Sequence, residues 1–146
     1  MNASNRIRKV VGAGLSVAAL VLAGCAAMSS GHRVNVALRG SEEVPPVTTP
    51  ASGSGTITIA ADRSVSGSVT TTPGLGAVAA HIHQGARGQN GPIAVGLAKT
   101  GDNVWSVPAG AKLTDAQYDA FKAGHLYVNV HTPANKGGEI RGQLNP

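Results

Sequence analysis

Short runs in which apolar and polar residues alternate, separated by glycine, proline and asparagine, recur from Arg33 to the end of the chain. This rhythm restricts the fold more than any other feature, because runs of five to eight residues are short for independent helices and ample for strands. In 33–39 (RVNVALR) Val34, Val36 and Leu38 share one face, and in 54–61 (SGTITIAA) Ile57 and Ile59 do. Similar runs fall at 64–71, 77–83, 92–98, 103–107, 126–132 and 138–144, about eight strands in all. The pattern predicts an all-β sandwich or barrel with the apolar side of each strand turned to a common core. Asp62-Arg63 marks a tight hairpin between the second and third runs.

One helix interrupts the pattern. Thr114 and Gln117 have the spacing of a capping box, which starts a helix at Asp115, and Gly124 suits its left-handed stop after Ala123. The helix over 115–123 is expected to cover an open end of the sandwich with Tyr118 and Phe121. With 146 residues the chain has room for one such domain. Its single cysteine excludes an internal disulfide and any zinc site built on a thiolate pair, so a metal site here would use histidine or carboxylate.

That cysteine has another use. Arg6, Arg8 and Lys9 precede the apolar run from Val10 to Ala23, the order of a secretory signal, and the run is shorter than the roughly 20 residues of a spanning helix. It ends in Leu22-Ala23-Gly24-Cys25, which resembles the lipobox of bacterial lipoproteins. The resemblance implies cleavage before Cys25 and acylation of its sulfur; a secreted protein with a stray thiol is the alternative. Residues 1–24 are then a lipoprotein signal peptide, 25–32 a small polar tether, and 33–146 the domain. Acyl chains on Cys25 hold the protein to a membrane, and Ala26 in place of Asp points to the periplasmic face of a bacterial outer membrane. The chain carries 12 basic and 7 acidic residues, but without the leader 9 and 7 remain, a net +2. With so small a charge and few aromatics, a nucleic-acid partner is not expected.

Period-two geometry sorts the polar residues of three strands onto single faces. In Ala80-His81-Ile82-His83 both imidazoles lie on one side, an arrangement that lets two rings converge on one ion. In Tyr127-Val128-Asn129-Val130-His131 the valines take the core, leaving Tyr127, Asn129 and His131 opposite; the same logic groups Glu139, Arg141 and Gln143. If these faces adjoin, His81, His83 and His131 supply three nitrogens for copper or zinc. Glu139 or Asn129 would then orient a ring or add an oxygen, and Arg141 would pair with Glu139 or Glu43. A hydrogen-bonded network that pins strand register accounts for the same residues. A weak repeat joins the two halves. His83 and His131 each end a strand, are followed by a Gly- and Asn-rich loop (QGARGQNGP; TPANKGG), and then by another strand. His32 and His125 read as solvated loop residues, and no nucleophile elbow or phosphate-cradling loop is present.

The ordered motifs Leu38-Arg39-Gly40, Glu43-Val44-Pro45-Pro46-Val47, Ala80-His81-Ile82-His83, Asn90-Gly91-Pro92, Leu126-Tyr127-Val128-Asn129-Val130-His131 and Gly138-Glu139-Ile140-Arg141-Gly142 resemble the CHRD domain over about residues 33–146. That domain is repeated in the animal protein chordin and occurs singly in bacterial exported proteins. The resemblance implies an immunoglobulin-like Greek-key β-sandwich and leaves function open. Its histidine motifs also look distantly like those of copper/zinc superoxide dismutase, but this chain lacks a disulfide pair and an Asp-bearing zinc loop. The expected function is a non-enzymatic, lipid-anchored envelope module that binds an envelope or extracellular protein. A copper- or zinc-binding role for the histidines is the alternative, and a dismutase-like redox enzyme a distant third.

Overall fold

A computed structural model describes residues 31–146; Cys25, the leader and most of the tether lie outside the described residues. The domain is all-β and sandwich-like, as the strand rhythm predicts, with strands β1 (His32–Arg39), β2 (Ser52–Ile59), β3 (Val65–Thr71), β4 (Ala79–Gln84), β5 (Ile93–Gly96), β6 (Ala98–Gly101), β7 (Val104–Ser106), β8 (Leu126–His131) and β9 (Ile140–Leu144). Helix α1 (Asp115–Lys122) separates β7 from β8. All neighbours pair antiparallel in the order β5-β4-β8-β9-β1-β2-β3-β7-β6.

The run expected as one strand over 92–98 is two. Leu97 stands between β5 and β6 and its N–H donates to the Ala80 carbonyl, so the chain leaves β4 at one margin of the sheet and joins β7 at the other. This bend nearly closes the sheet and leaves it with little free edge. The core lies inside, built from the residues that alternation assigns to it: Val34, Val36 and Leu38 of β1, Ile57 and Ile59 of β2, Ile82 of β4, Val128 and Val130 of β8, and Ile140 and Leu144 of β9. At Gly142 of β9 a Cβ would sit 2.3 Å from the Ala37 carbonyl oxygen, so the absence of a side chain is what lets β9 lie against β1.

The Asp62-Arg63 hairpin forms, with Arg63 at φ 70° and its N–H donating to the Ala60 carbonyl. Helix α1 carries the full capping box: Gln117 N–H donates to Thr114 Oγ1, and Thr114 N–H donates to Gln117 Oε1. Gly124 follows at φ 73° and Phe121 is fully buried. His32 departs from the sequence reading, because β1 begins at this residue; its exposed ring stands edge-on to Phe121.

The polar sides of β4, β8 and β9 are covered rather than open to solvent. The segment 85–92 lies over them and is bound to β9 by Arg141 and Gln143, whose side chains donate to the Ala86, Gln89 and Gly85 carbonyls. Asn90 ties this segment to the Val44 carbonyl, and Arg87 forms an ion pair with Glu42. Segment 85–92, tied to Val44, therefore roofs a polar layer.

Candidate metal centre

The register of β4 and β8 brings the three histidines together. His81 faces Asn129 directly, His83 faces Tyr127, and Ala79 faces His131, which leaves His83 diagonal to Asn129 and His131 diagonal to His81 on one side of the sheet. Ring centroids are 4.8 Å apart for His81 and His131, 5.4 Å for His81 and His83, and 6.0 Å for His83 and His131. One ring nitrogen from each lies within 4.8 Å of the others. Donors around a tetrahedral zinc or copper ion stand about 3.3 Å apart, so small side-chain rotations bring these nitrogens to ligand spacing.

Backbone carbonyls fix two of the rings. His83 Nδ1 lies 2.9 Å from the Gly91 oxygen and His131 Nδ1 lies 2.9 Å from the Lys136 oxygen. A carbonyl only accepts, so each Nδ1 carries the proton and each Nε2 of the neutral ring presents a lone pair. His131 Nε2 receives His81 Nδ1 at 2.9 Å. His83 Nε2 is buried and has no hydrogen-bond partner among the described residues. Burial, followed by the neighbouring His131 and His83, holds the His81 imidazole below the usual histidine range. Burial likewise depresses His83, with the Gly91 carbonyl opposing it. The depression of both favours the neutral form that binds metal.

The weak sequence repeat has a structural counterpart here. In each half the strand-ending histidine donates Nδ1–H to a carbonyl of the loop that follows it, eight residues on for Gly91 and five for Lys136. Sequence reasoning sought these orienting partners among side chains, at Glu139 or Asn129, whereas the backbone provides them. Glu139 turns away to accept hydrogen bonds from Thr132 and Asn135, and Thr49, Asn135 and Thr132 together hold its carboxyl below the ordinary range.

Arg141 also departs from expectation. It is 1% exposed and forms no ion pair with Glu139 or Glu43 among the described residues. Its guanidinium donates instead to the carbonyls of Ala86 and Gln89 and to the side chains of Asn90 and Gln143. The planar fork reaches several acceptors of the roof at once, which a single carboxylate cannot match. Arg141 Cζ stands 3.4 Å above the Tyr127 ring, and the other neighbour of that ring is His83, stacked at 5.1 Å and 7°. Gly91 N–H donates to Tyr127 Oη, so the residue that orients His83 through its carbonyl is itself held by its amide.

Glu43 lies on the opposite flank of Asn129, beside Gly138. It is 4% exposed, and burial raises its pKa from 4.5 to about 7 against the lowering effects of Arg141 and Asn129. A carboxyl whose pKa is raised by folding contributes its stability below the unfolded value and loses it as pH climbs through the folded value. Glu43 therefore costs the metal-free domain about 3 kcal/mol as pH rises from 4.5 to beyond 7. Glu43→Gln is expected to remove that slope. Urea unfolding in the presence of chelator should show the variant gaining on wild type between pH 5 and pH 8, and an unchanged difference would contradict the assignment.

A groove of about 990 Å³ runs past Arg39, Thr49, Ser52 and Thr70 and includes none of the three histidines. It offers Arg39 as its one titratable lining group, so the histidine cluster is the chemically distinctive site.

Comparison with known families agrees with the motifs: the family model of the CHRD domain matches residues 34–144. No curated protein and no solved structure gives a match to the chain.

Proposed function

The chain belongs to the CHRD domain family, and on that premise we propose that it is a lipid-anchored envelope protein whose domain binds one copper or zinc ion through His81, His83 and His131. The observation that carries this reading is the state of His83. The Gly91 carbonyl fixes its proton on Nδ1, which leaves Nε2 buried and without a hydrogen-bond partner in a ring whose centroid lies 5.4 Å from that of His81 and 6.0 Å from that of His131. A network evolved only to pin strands would pair that atom, since an orphaned buried acceptor costs about 1–3 kcal/mol. A metal ligand needs it bare, with the other ring nitrogen held by a carbonyl, as His83 and His131 both are. His81 joins once its proton passes from Nδ1, where it is shared with His131, to Nε2, which frees Nδ1 beside His131 Nε2.

Copper(II) binds such imidazole sets more tightly than zinc, and both are candidates. The proposed role is binding rather than turnover, and a bound ion is compatible with the protein partner expected from sequence. Cys25 remains the anchor, tethering the domain through its acyl chains to the periplasmic face of the outer membrane. Cys25→Ser is expected to move the protein from the membrane fraction to the soluble fraction.

Calorimetric titration of Cu(II) and Zn(II) into the purified protein tests the metal reading. One equivalent should bind at pH 7.5. Because His81 and His83 are depressed, protons compete little above pH 6.5, and affinity should stay level there and fall at lower pH. The metal-free domain follows the same sign: a depressed histidine contributes its stability above about 6.5 and loses it as pH falls through the folded value. Absence of binding at pH 7.5 would contradict the proposal.

A further inference from the structure

Asn129 stands beside all three histidines, directly across from His81, diagonal to His83 and two residues before His131 on β8. It is 2% exposed, and its Oδ1 has no hydrogen-bond partner among the described residues. The amide orientation is fixed by what lies on its other side. Nδ2 donates to the Gly137 carbonyl at 3.2 Å, with Glu43 as its second neighbour on that flank. The approach there is close enough that a Cβ on Gly138, which sits at φ 142°, would lie 2.7 Å from Asn129 Nδ2 and 2.2 Å from Glu43 Oε1. With nitrogen committed to that flank, the oxygen is left on the face of the sheet that Asn129 shares with His81 and His83.

Two buried acceptors thus belong to this cluster, Asn129 Oδ1 and His83 Nε2, each without a hydrogen-bond partner among the described residues. A buried acceptor left without a donor costs free energy, which a cation bound among such acceptors would recover. Resting on the metal reading above, we propose that Asn129 Oδ1 is the fourth ligand of the ion, completing a set of three imidazole nitrogens and one amide oxygen. Four protein donors close a tetrahedral shell, as in structural zinc sites, and leave no position for a substrate. The oxygen is a hard donor, which favours Zn(II) and Cu(II) over Cu(I). This accounts for a module that holds a divalent ion without catalysing a reaction.

The test measures Zn(II) affinity of the full chain and of Asn129→Ala and Asn129→Asp, with circular dichroism to follow folding. Loss of the oxygen should weaken binding roughly tenfold or more, and Asp, which puts a charged oxygen in the same place, should tighten it. A purely structural amide predicts the opposite for Asp, which cannot donate to the Gly137 carbonyl and adds charge beside Glu43. In 13C-labelled wild type, which needs no variant to fold, the Asn129 Cγ resonance should move on Zn(II) addition further than those of Asn90 and Asn135. Asn129→Ala binding within twofold of wild type, Asp weakening binding, or an unmoved Cγ resonance would each overturn the fourth ligand while leaving the three-histidine site standing. Wild type that binds no Zn(II) or Cu(II) would remove both.

Discussion

His83→Ala is expected to lower the affinity for Cu(II) and Zn(II) by on the order of a hundredfold to a thousandfold, about 3–4 kcal/mol of binding free energy. The loss should exceed what removal of an orienting partner costs, because His83 contributes the one nitrogen already bare and buried. His81→Ala and His131→Ala should follow it, since each nitrogen lies within 4.8 Å of the other two. The metal-free proteins separate this account from a register-pinning network. Under the metal reading His83→Ala leaves the Gly91 carbonyl without a donor and otherwise removes an unsatisfied atom, so the metal-free domain changes by at most ~2 kcal/mol. Wild type, in contrast, gains about 2.7 kcal/mol at a free ion concentration a hundred times Kd, a rise in Tm of roughly 10 °C that the variants lack. Scanning calorimetry with and without Zn(II) reads both effects. Equal destabilisation with and without the ion would assign the histidines to the fold.

Arg141→Ala should produce the largest loss of stability of any single substitution in the polar layer, about 3–5 kcal/mol. The side chain is among the largest that are fully buried, and its removal strands the Ala86 and Gln89 carbonyls while opening a cavity beside Tyr127. Against a typical total of 5–15 kcal/mol this is enough to leave the domain partly unfolded at physiological temperature. Arg141→Lys retains the charge but loses the fork, so it should recover only part of the deficit. The effect reaches the metal centre by a defined route. Segment 85–92 is bound to β9 by Arg141, and Gly91 in that segment orients His83. Urea unfolding of both variants checks the magnitude. Wild-type stability in Arg141→Ala would contradict the role assigned to the roof.

The sequence announces the sheet through its alternation: the faces assigned to Val34, Val36 and Leu38, or to Val128 and Val130, follow from a period of two and survive unchanged. The three histidines were legible for the same reason, since two of them share a strand and the third ends another with valines on its opposite face. What covers that face was not legible. A glycine-rich run such as 85–92 has the same composition whether it waves in solvent or roofs a buried layer, and the difference lies in which side chains of β9 reach its carbonyls. The carbonyls of Gly91 and Lys136 carry no residue-specific mark, so the groups that orient His83 and His131 were sought among Glu139 and Asn129 instead. Arg141 was matched with a carboxylate because sequence shows charges and hides backbone acceptors. The bend at Leu97 escaped for a related reason: a continuous β-rich run does not show where a strand exchanges one partner for another.

Crystals of the protein grown with Zn(II) or Cu(II) and measured at the metal absorption edge test the central claim most directly. The account predicts one anomalous peak per chain, about 2.0–2.1 Å from a ring nitrogen of each of His81, His83 and His131. No peak at this position, with His83 Nδ1 and His131 Nδ1 still on their carbonyls and the ion bound elsewhere or not at all, would contradict it.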